Sequence, residues 1–403
     1  MIESFPTTRE PGHPFDPDPA YAELRGLDTL PKLACPAGID AYVVTDYHQV
    51  RTVLANPTVS SRGAASFHTQ PGHDFDAPIY PGNVIQHDGE GHHRLRRLLM
   101  PEFTVRRTRA LSGYIQQVIN EHIDSMLAKD GQADLIADLA MPVPSLVICE
   151  LLGVPSADRH KFVGWAQAMM NTGIHRSEQK GPGNEFIAYM YELAGSKMAD
   201  PSDDLIGRLF ERSQDEGSPL TVQELAHLSL VLLVAGHETT ANMIGLSTLA
   251  LLTDTHRDTL AALQTEPDRF AEPAVEEMLR YLTVVQFGVL RYATQDLEVG
   301  EHTIKAGDWV VASLAAGNRD SRAFPEPDTV DLAREDPRTH LAFGYGAHQC
   351  VGQQLARLEL IEIFRTLYRR IPTLRLAAPI ENVPFKAKGL TYGVRQLPVA
   401  WDA

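Results

Sequence analysis

Apolar residues recur at helical spacing along most of the chain. Two sets are clearest, Leu111, Ile115, Val118, Ile119, Ile123 and Met126 in the first half and Leu355, Leu358, Ile361 and Leu367 near the end. The run from Leu228 to Leu252 is about as long as a bilayer-spanning helix, but the polar segment 237–242 lies in its middle. We therefore predict a long helix through a protein core there, not a membrane span.

Strand-like runs are fewer and shorter. They cover 41–45, 297–304 around the Gly300-Glu301 turn, and 309–314. The pattern predicts a mainly α (α+β) fold with small antiparallel sheets. Because we find no internal repeat, low-complexity tract or linker, we expect a single domain over 1–403.

Composition narrows the function classes. The 403 residues carry a formal net charge of −16, which argues against nucleic-acid binding, and 43% of them are hydrophobic, enough for a large core. The first twenty residues are rich in proline and acid and contain no apolar stretch typical of a signal peptide or anchor. We expect a cytoplasmic monomer without a membrane partner.

Three cysteines, Cys35, Cys149 and Cys350, lie far apart, and no Cys-x-x-Cys pair occurs. A disulfide framework, zinc ribbon or iron–sulfur cluster is therefore disfavoured. Cys350 stands in the segment Phe343-Gly344-Tyr345-Gly346-Ala347-His348-Gln349-Cys350-Val351-Gly352, just before an apolar helix that begins near Gln353. A helix N-terminus stabilises a thiolate and lowers its pKa. A buried cysteine beside a plain glycine turn is an equally open interpretation of these residues alone.

The pattern Phe-Gly-x-Gly-x-His-x-Cys-x-Gly resembles the haem-binding loop of the cytochromes P450. Glu277-Met278-Leu279-Arg280 is similar to the family's Glu-x-x-Arg helix, and Asn318-Arg319-Asp320 follows in the family's order. The resemblance implies a P450 fold, a helical bundle around a b-type haem, with Cys350 as the iron ligand and Glu277 and Arg280 as a structural ion pair. The family's third partner of that pair is an arginine where this chain has Thr329, and Arg334 is a candidate substitute.

Ala235-Gly236-His237-Glu238-Thr239-Thr240 resembles the family's oxygen-activation motif. The resemblance implies that Ala235 and Gly236 border the haem, that the Thr239 hydroxyl donates to dioxygen and that Glu238 supplies protons. A zinc-protease helix is excluded, because Ala241 stands where the second histidine would fall. The alternative that both threonines merely hydrogen-bond to carbonyls of their own helix stays open.

A buried haem leaves two propionates that need cationic partners. His92 and Arg96 are one helical turn apart and resemble the family's propionate-binding pair. Arg291, His340 and His348 match further propionate positions, and Phe343, Gly344 and Gly352 complete the predicted haem contacts. For Arg94 and Arg97 we favour solvated surface charges.

The resemblance places two apolar stretches beside the substrate. The expected pocket residues are Val231, Val234 and Ala235 on the long helix, and Val285, Phe287 and Val289 before Arg291. The 71–85 loop, with Phe75, Ile79 and Tyr80, and the 169–190 region would supply its roof.

The resemblance also implies the reaction and the partners. An apolar small molecule would be hydroxylated or epoxidised with O2, in secondary metabolism or xenobiotic oxidation. Two electrons from NAD(P)H would arrive through a separate ferredoxin and ferredoxin reductase, because one haem domain accounts for the whole chain and we expect no reductase domain in it. Peroxide-driven or oxidative-coupling chemistry on the same fold remains an alternative, and a non-catalytic haem carrier or sensor is disfavoured by the acid–alcohol pair.

Overall fold

The structure of the protein is a computed structural model that describes residues 2–10, 12–62, 67–71, 74, 76–170 and 176–402. Its α-helices within these ranges are α1 Ala20–Arg25, α2 Tyr47–Ala55, α3 Gly89–Leu99, α4 Val105–Arg109, α5 Ser112–Leu127, α6 Pro142–Leu152, α7 Arg159–Met170, α8 Arg176–Ala199, α9 Leu205–Asp215, α10 Val222–Leu251, α11 Arg257–Thr265, α12 Pro267–Leu282, α13 Leu314–Asn318 and α14 Gln353–Arg370. The mainly α prediction is confirmed.

The strands are short. They are β1 Lys32–Ala34, β2 Asp40–Val44, β3 Val59–Ser60, β4 Gln132–Asp134, β5 Val289–Ala293, β6 Leu297–Val299, β7 His302–Ile304, β8 Trp309–Ala312, β9 Arg375–Leu376 and β10 Pro398–Ala400. They form sheets in the orders β1-β2-β8-β5-β3, β4-β10-β9 and β6-β7. The pairing is antiparallel as predicted, except that β2 runs parallel to β8. The chain between those two strands is long enough to make such a crossover.

Helix α10 runs through the middle of the bundle and contacts α6, α8, α12 and α14. It begins at a capping box, in which the Thr221 hydroxyl accepts from the Glu224 N–H at 3.2 Å and Glu224 accepts from the Thr221 N–H at 2.9 Å. At Gly245 a β-carbon would lie 2.5 Å from Ile136 Cδ1, so glycine permits this close approach to the short π-helical segment Ile136–Ala140.

The predicted amphipathic face of α5 is confirmed, and that of α14 is confirmed in part, because Leu355 and Leu367 are buried while Leu358 and Ile361 are only partly buried. On α5, Ile115, Val118, Ile119, Ile123 and Met126 are buried. Helix α10 starts six residues before the predicted Leu228, and residues 240–251 are all buried. Along the described part of the chain, no helix combines the length and the apolar character that crossing a bilayer requires.

Candidate active site

The loop that carries Cys350 is folded tightly against α2 and the start of α14. The Cys350 N–H donates to the Phe343 carbonyl oxygen at 2.9 Å, which closes the loop on itself. Gly346 has a φ of +75°, and a β-carbon there would lie 2.3 Å from the Leu54 carbonyl oxygen, so only glycine fits. Gly344 has a φ of +70° for the same turn.

The Cys350 sulfur lies at the N-terminus of α14. Its side chain keeps accessible surface, yet burial within the protein raises the pKa of the thiol, and the N–H groups of Gly352 and Gln353 and the charges of Arg96 and Arg357 lower it only in part. The N–H groups at the helix start lower this pKa as predicted, but desolvation outweighs them, so the net shift of the thiol pKa is upward. The N–H groups nevertheless point at the sulfur as predicted.

Glu277 and Arg280 form a buried, two-pronged ion pair. Arg280 Nε and Nη2 donate to the two Glu277 oxygens, each at 2.9 Å. Burial raises the pKa of Glu277, but the hydrogen bonds and charge of Arg280 more than offset this, so the pKa lies below its ordinary value. Arg334 Nε donates to Glu277 at 2.8 Å and takes the third position, while Thr329 contributes only its carbonyl oxygen, which accepts from Arg280 at 2.7 Å.

Asn318 connects this ion pair to the cysteine loop. Its carbonyl oxygen accepts from Arg280 Nη1 at 3.1 Å, and its side-chain oxygen accepts the Leu341 N–H at 2.6 Å. Its amide group donates to Thr283 Oγ1 at 2.8 Å. The Asn318 motif noted in the sequence is thus a bridge between α12 and the segment that leads into the loop.

Helix α10 carries a narrow accessible stripe. Between Leu225 and Leu251 the residues that are not buried are Leu230, Val231, Val234, Ala235, Gly236 and Thr239. Val231, Ala235 and Thr239 are spaced by four, so they share one face. A β-carbon on Gly236 would only reach ordinary contact with Ile148, at 3.5 Å, so packing within the protein does not require glycine at this point of the stripe.

The two threonines behave alike in hydrogen bonding and differ in exposure. Thr239 Oγ1 donates to the Ala235 carbonyl oxygen at 2.7 Å, and Thr240 Oγ1 donates to that of Gly236 at 3.0 Å. The alternative of bonds within the helix therefore describes both hydroxyls in this structure. Only Thr239 is also on the accessible stripe, since Thr240 is buried.

Glu238 belongs to a polar cluster that sequence reasoning missed. Lys386 Nζ lies 3.2 Å from one Glu238 oxygen, and Thr391 Oγ1 donates to the other at 3.2 Å. Asn242, one turn along α10, accepts from Lys386 at 3.0 Å and donates to Thr391 at 3.0 Å. Lys386 and Thr391 follow Glu238 by about 150 residues, and no local pattern in the sequence links them to it.

Of the expected propionate partners, His92 and His348 lie against each other. His92 is buried, its ring centroid lies 4.0 Å from that of His348 with the two planes tilted by 36°, and burial lowers the pKa of His92 to about 4. Arg291 is 8% exposed, makes its hydrogen bond to the Leu290 carbonyl oxygen at 2.9 Å, and has no ion pair among the described residues. Burial lowers the pKa of Arg291 to about 10. Arg96 is half-buried and likewise forms no ion pair within those ranges.

These features fit a haem held by Cys350. A buried guanidinium without a carboxylate is costly, and Arg291 would be matched by a propionate. An accessible thiol with two N–H groups aimed at it is the arrangement that an anionic sulfur ligand needs. Val231 and Val234 of the stripe and Phe343 of the loop pack against the same hydrophobic core.

The geometry corrects two of the predicted assignments, those of His340 and Arg94. His340 Nε2 lies 3.0 Å from Glu276 and its Nδ1 accepts the Ala342 N–H at 3.2 Å, so neither nitrogen is left for a propionate. Arg94 is not a solvated charge, because it pairs with Glu224 at 2.5 Å. Arg97 is exposed as expected and pairs with Glu216.

The predicted pocket residues divide between two sides of the sheet. Val285 and Val289 are partly buried, and Val285 pairs with Thr391, which brings this segment close to Glu238. Phe287 instead lies in a separate core with Phe5 and Tyr21. In a continuous strand, positions 285, 287 and 289 would share one face. Phe287 lies apart because it is in a turn before Gly288, whose φ of +74° interrupts the extended segment.

The expected roof is described in part. Tyr80 is 64% exposed, and Met190 is fully buried in the main core, so Met190 is a packing residue. Phe75, residues 171–175 and the Met169 side chain lie outside what the structure describes. A pocket roof from the other residues of these segments stays a prediction.

Comparison with known proteins identifies relatives along the whole chain. A family model described as cytochrome P450 matches residues 181–371. Cytochrome P450 CYP105Q4 of Mycobacterium marinum is 43% identical over 406 residues, covering 99% of this chain and 96% of that protein. Vitamin D3 dihydroxylase of Streptomyces griseolus is 38% identical over 401 residues, covering 99% and 97%. The crystal structure of CYP105P1 in complex with filipin I matches with a TM-score of 0.92 and 39% identity, covering 100% and 99%.

Proposed function

The chain belongs to the cytochrome P450 family and is a haem-thiolate monooxygenase, and from this premise we propose which of its residues carry the reaction and what class of molecule it oxidises. The haem, when bound, supplies the activation of O2, with electrons delivered by partner proteins. The observation that carries the assignment is the accessible Cys350 sulfur with the N–H groups of Gly352 and Gln353 directed at it.

Cys350 is the proposed iron ligand. Phe343, Gly344 and Gly352 shape the loop around the sulfur, and Ala235 and Gly236 border the opposite haem face. Arg291, His92, Arg96 and His348 are the proposed propionate partners. The support for Arg291 is strongest, because its buried guanidinium has no carboxylate of the described chain to pair with.

Thr239 and Glu238 are the proposed catalytic residues. Thr239 Oγ1 lies on the accessible stripe, where its hydroxyl can turn from the Ala235 carbonyl oxygen towards a bound reactant and donate. Glu238 is buried one residue away, and Lys386 holds one of its oxygens while remaining 18% exposed. Lys386 therefore connects the buried carboxylate to solvent, which a supply of protons requires.

The proposed substrate is a bulky, largely apolar molecule that is hydroxylated at carbon. Val231, Val234 and Ala235 give the stripe an apolar surface, and Val285 and Val289 add to it from the sheet side. The named relatives point the same way, since one is a vitamin D3 dihydroxylase and another binds filipin I. An apolar wall with one hydroxyl orients such a molecule mainly by shape.

For the electron donor we propose a ferredoxin that receives its electrons from NAD(P)H through a ferredoxin reductase. Helix α4, which contacts α14, exposes Arg106 and Arg109 next to exposed Met100 and Val105. Phe103 lies 3.9 Å from where a Gly352 side chain would begin, so this surface adjoins the cysteine loop. A basic rim with apolar contacts suits an acidic protein, and charge reversal at Arg106 and Arg109 should raise the donor's KM at low salt.

The iron ligand is tested by the absorption spectrum of the reduced protein with carbon monoxide. We expect a thiolate-type Soret band that Cys350→Ser abolishes. Cys149→Ser, at a buried cysteine on α6, should keep the band. An imidazole-type band in the unsubstituted protein, or an unchanged band in Cys350→Ser, would overturn the assignment.

The distal pair is tested by coupling, the product formed per NAD(P)H consumed. Thr239→Ala should divert reducing equivalents to hydrogen peroxide, and Thr239→Ser should restore much of the yield. Thr240→Ala is the matched control, because Thr240 makes the same type of bond within the helix but is buried. Equal coupling in the two alanine variants would refute the proposed role.

A further inference from the structure

Arg357 on α14 is a buried cation that no part of the proposed reaction uses. Its side chain is 6% exposed. Nε and Nη2 donate to the two oxygens of Glu276 on α12, at 2.6 and 3.1 Å. This is a two-pronged pair like that of Glu277 and Arg280, although the two arginines belong to different helices. Arg357 is thus held rigidly from the α12 side.

The same guanidinium contacts the loop that carries Cys350 at both of its ends. At the start, the Arg357 Cζ lies 4.5 Å from the centroid of the Phe343 ring, within cation–π range. At the end, Arg357 Nη1 donates to the Gln353 side-chain oxygen at 2.9 Å. Both contacted residues are also bonded to Cys350. The Phe343 carbonyl oxygen accepts the Cys350 N–H at 2.9 Å, and the Gln353 N–H points at the sulfur.

Glu276 fixes this arrangement against the rest of the fold. Besides Arg357, it is bonded to His340 Nε2 at 3.0 Å, and His340 precedes the loop by three residues. Glu276 is 1% exposed and adjoins Glu277 in sequence, and the two carboxylates bind different arginines. Glu277 binds Arg280, which is linked to α13 through Asn318, whereas Glu276 binds Arg357, which contacts the cysteine loop.

We propose that Arg357 is a positioning residue that clamps the two ends of the cysteine loop, Phe343 and Gln353, and so holds the backbone N–H groups of Gly352 and Gln353 on the Cys350 sulfur. The proposal rests on the proposed function, in which Cys350 is the thiolate ligand. A planar fork suits this task, since it pairs with Glu276, bonds Gln353 and stacks on Phe343 at once, which a lysine ammonium does not.

Loss of the clamp should change the ligand's electronic state and durability, not merely the stability of the fold. N–H groups that bond to a ligand sulfur withdraw electron density from it, so their loosening lowers the reduction potential of the iron. A less constrained loop also lets the sulfur leave the iron or become protonated. Both effects are spectroscopic and are measured without substrate turnover.

Arg357→Lys is the primary variant, because it retains the positive charge beside Glu276. The double variant Arg357→Met with Glu276→Gln removes the pair together and avoids leaving a buried carboxylate without its partner. Arg365→Met is the matched control, since Arg365 lies on the same helix and pairs with Glu362 and Asp268 without contacting the loop. Each purified holoprotein is assayed for its ferric reduction potential and for conversion of the reduced carbon monoxide complex from the thiolate-type to the thiol-type band.

We expect Arg357→Lys to bind haem, to shift to a lower potential and to lose the thiolate-type band several-fold faster, with the double variant changed at least as much and Arg365→Met unchanged. If Arg357→Lys keeps both the potential and the rate of the unsubstituted protein, the clamp is refuted, whether or not the double variant folds. A failure of the underlying function looks different, because the unsubstituted protein would then show no thiolate-type band.

Discussion

The two sides of the candidate haem site are built from different interactions. On the side of Cys350, buried charged groups on α12 and α14 are joined by short hydrogen bonds, as between Glu277 and Arg280 and between Glu276 and Arg357. On the side of α10, the accessible stripe is apolar except for Thr239, whose hydroxyl bonds within its own helix. The first side is held by directional bonds, and the second is shaped by side-chain volume.

The difference separates what fixes the chemistry from what selects the substrate. Directional, buried ion pairs tolerate little change, because removal of one partner leaves the other charge desolvated. An apolar wall can change shape without leaving polar groups unpaired, so its energy depends on packing alone. The cysteine side should therefore respond to substitution mainly through stability and spectrum, and the stripe mainly through ligand affinity.

The largest expected effect is at Glu277. Glu277→Gln removes the charge that Arg280 and Arg334 share in the interior, and we expect the free energy of unfolding to fall by about 3–5 kcal/mol. Thermal and urea unfolding of the holoprotein measure it. Glu272→Gln is the control, since its pair with Arg338 is about half exposed on both sides and should be worth at most ~1 kcal/mol. Similar losses in both variants would contradict a special role for the buried pair.

The contrast between the two sides also explains how much of each could be predicted from the sequence. Cys350, Glu277 and Arg280 lie in compact motifs, so their resemblance to the family's motifs was enough to identify them, although the residues alone left their roles open. Arg357 and Lys386 act on partners 81 and 148 residues away, and only the packing of helices reveals them. His340 was misassigned because its ring nitrogens are taken by Glu276 and the Ala342 N–H. Phe287 was misassigned because it lies in a turn before Gly288 and packs into a separate core.

Glu359 is an exception to the paired buried charges on the cysteine side. It is a buried carboxyl on α14 whose Oε2 has no partner among the described residues. Burial raises its pKa from 4.5 to about 8. A carboxyl with a raised folded-state pKa contributes stability that is fully present below about pH 4.5 and is lost as the pH rises through 8. The unsubstituted protein should therefore lose a few kcal/mol of unfolding free energy between these pH values, and Glu359→Gln should not show this loss.

Unfolding measured at several pH values from 5 to about 8.5 tests this effect, with exposed Glu381→Gln as the control. The pH slope should flatten in Glu359→Gln and persist in Glu381→Gln. A slope that persists in both would show that Glu359 is ionised in the fold, and the exception would disappear.

A smaller effect is expected at the polar cluster behind α10. Lys386→Met leaves a Glu238 oxygen and the Asn242 side-chain oxygen without this donor, at a cost of ~1–3 kcal/mol. It should also lower coupling, because Glu238 loses its connection to solvent. Lys388→Met, two residues on and exposed, should change neither quantity. Unchanged coupling in Lys386→Met would assign the lysine to stability alone.

The smallest effect on stability, and the clearest on binding, is expected on the stripe itself. Val231 is only partly buried, so Val231→Ala should cost less than about 1 kcal/mol of unfolding free energy. The same substitution at Val147, which is fully buried on α6, should cost more.

Ligand affinity should change in the opposite order, with a larger effect of Val231→Ala than of Val147→Ala. The affinity is measured from the spin-state change of the haem on titration with an apolar compound. A several-fold change in Kd for Val231→Ala with none for Val147→Ala would place the substrate along α10. The opposite pattern would mean that the stripe is ordinary core surface and that selectivity is set elsewhere.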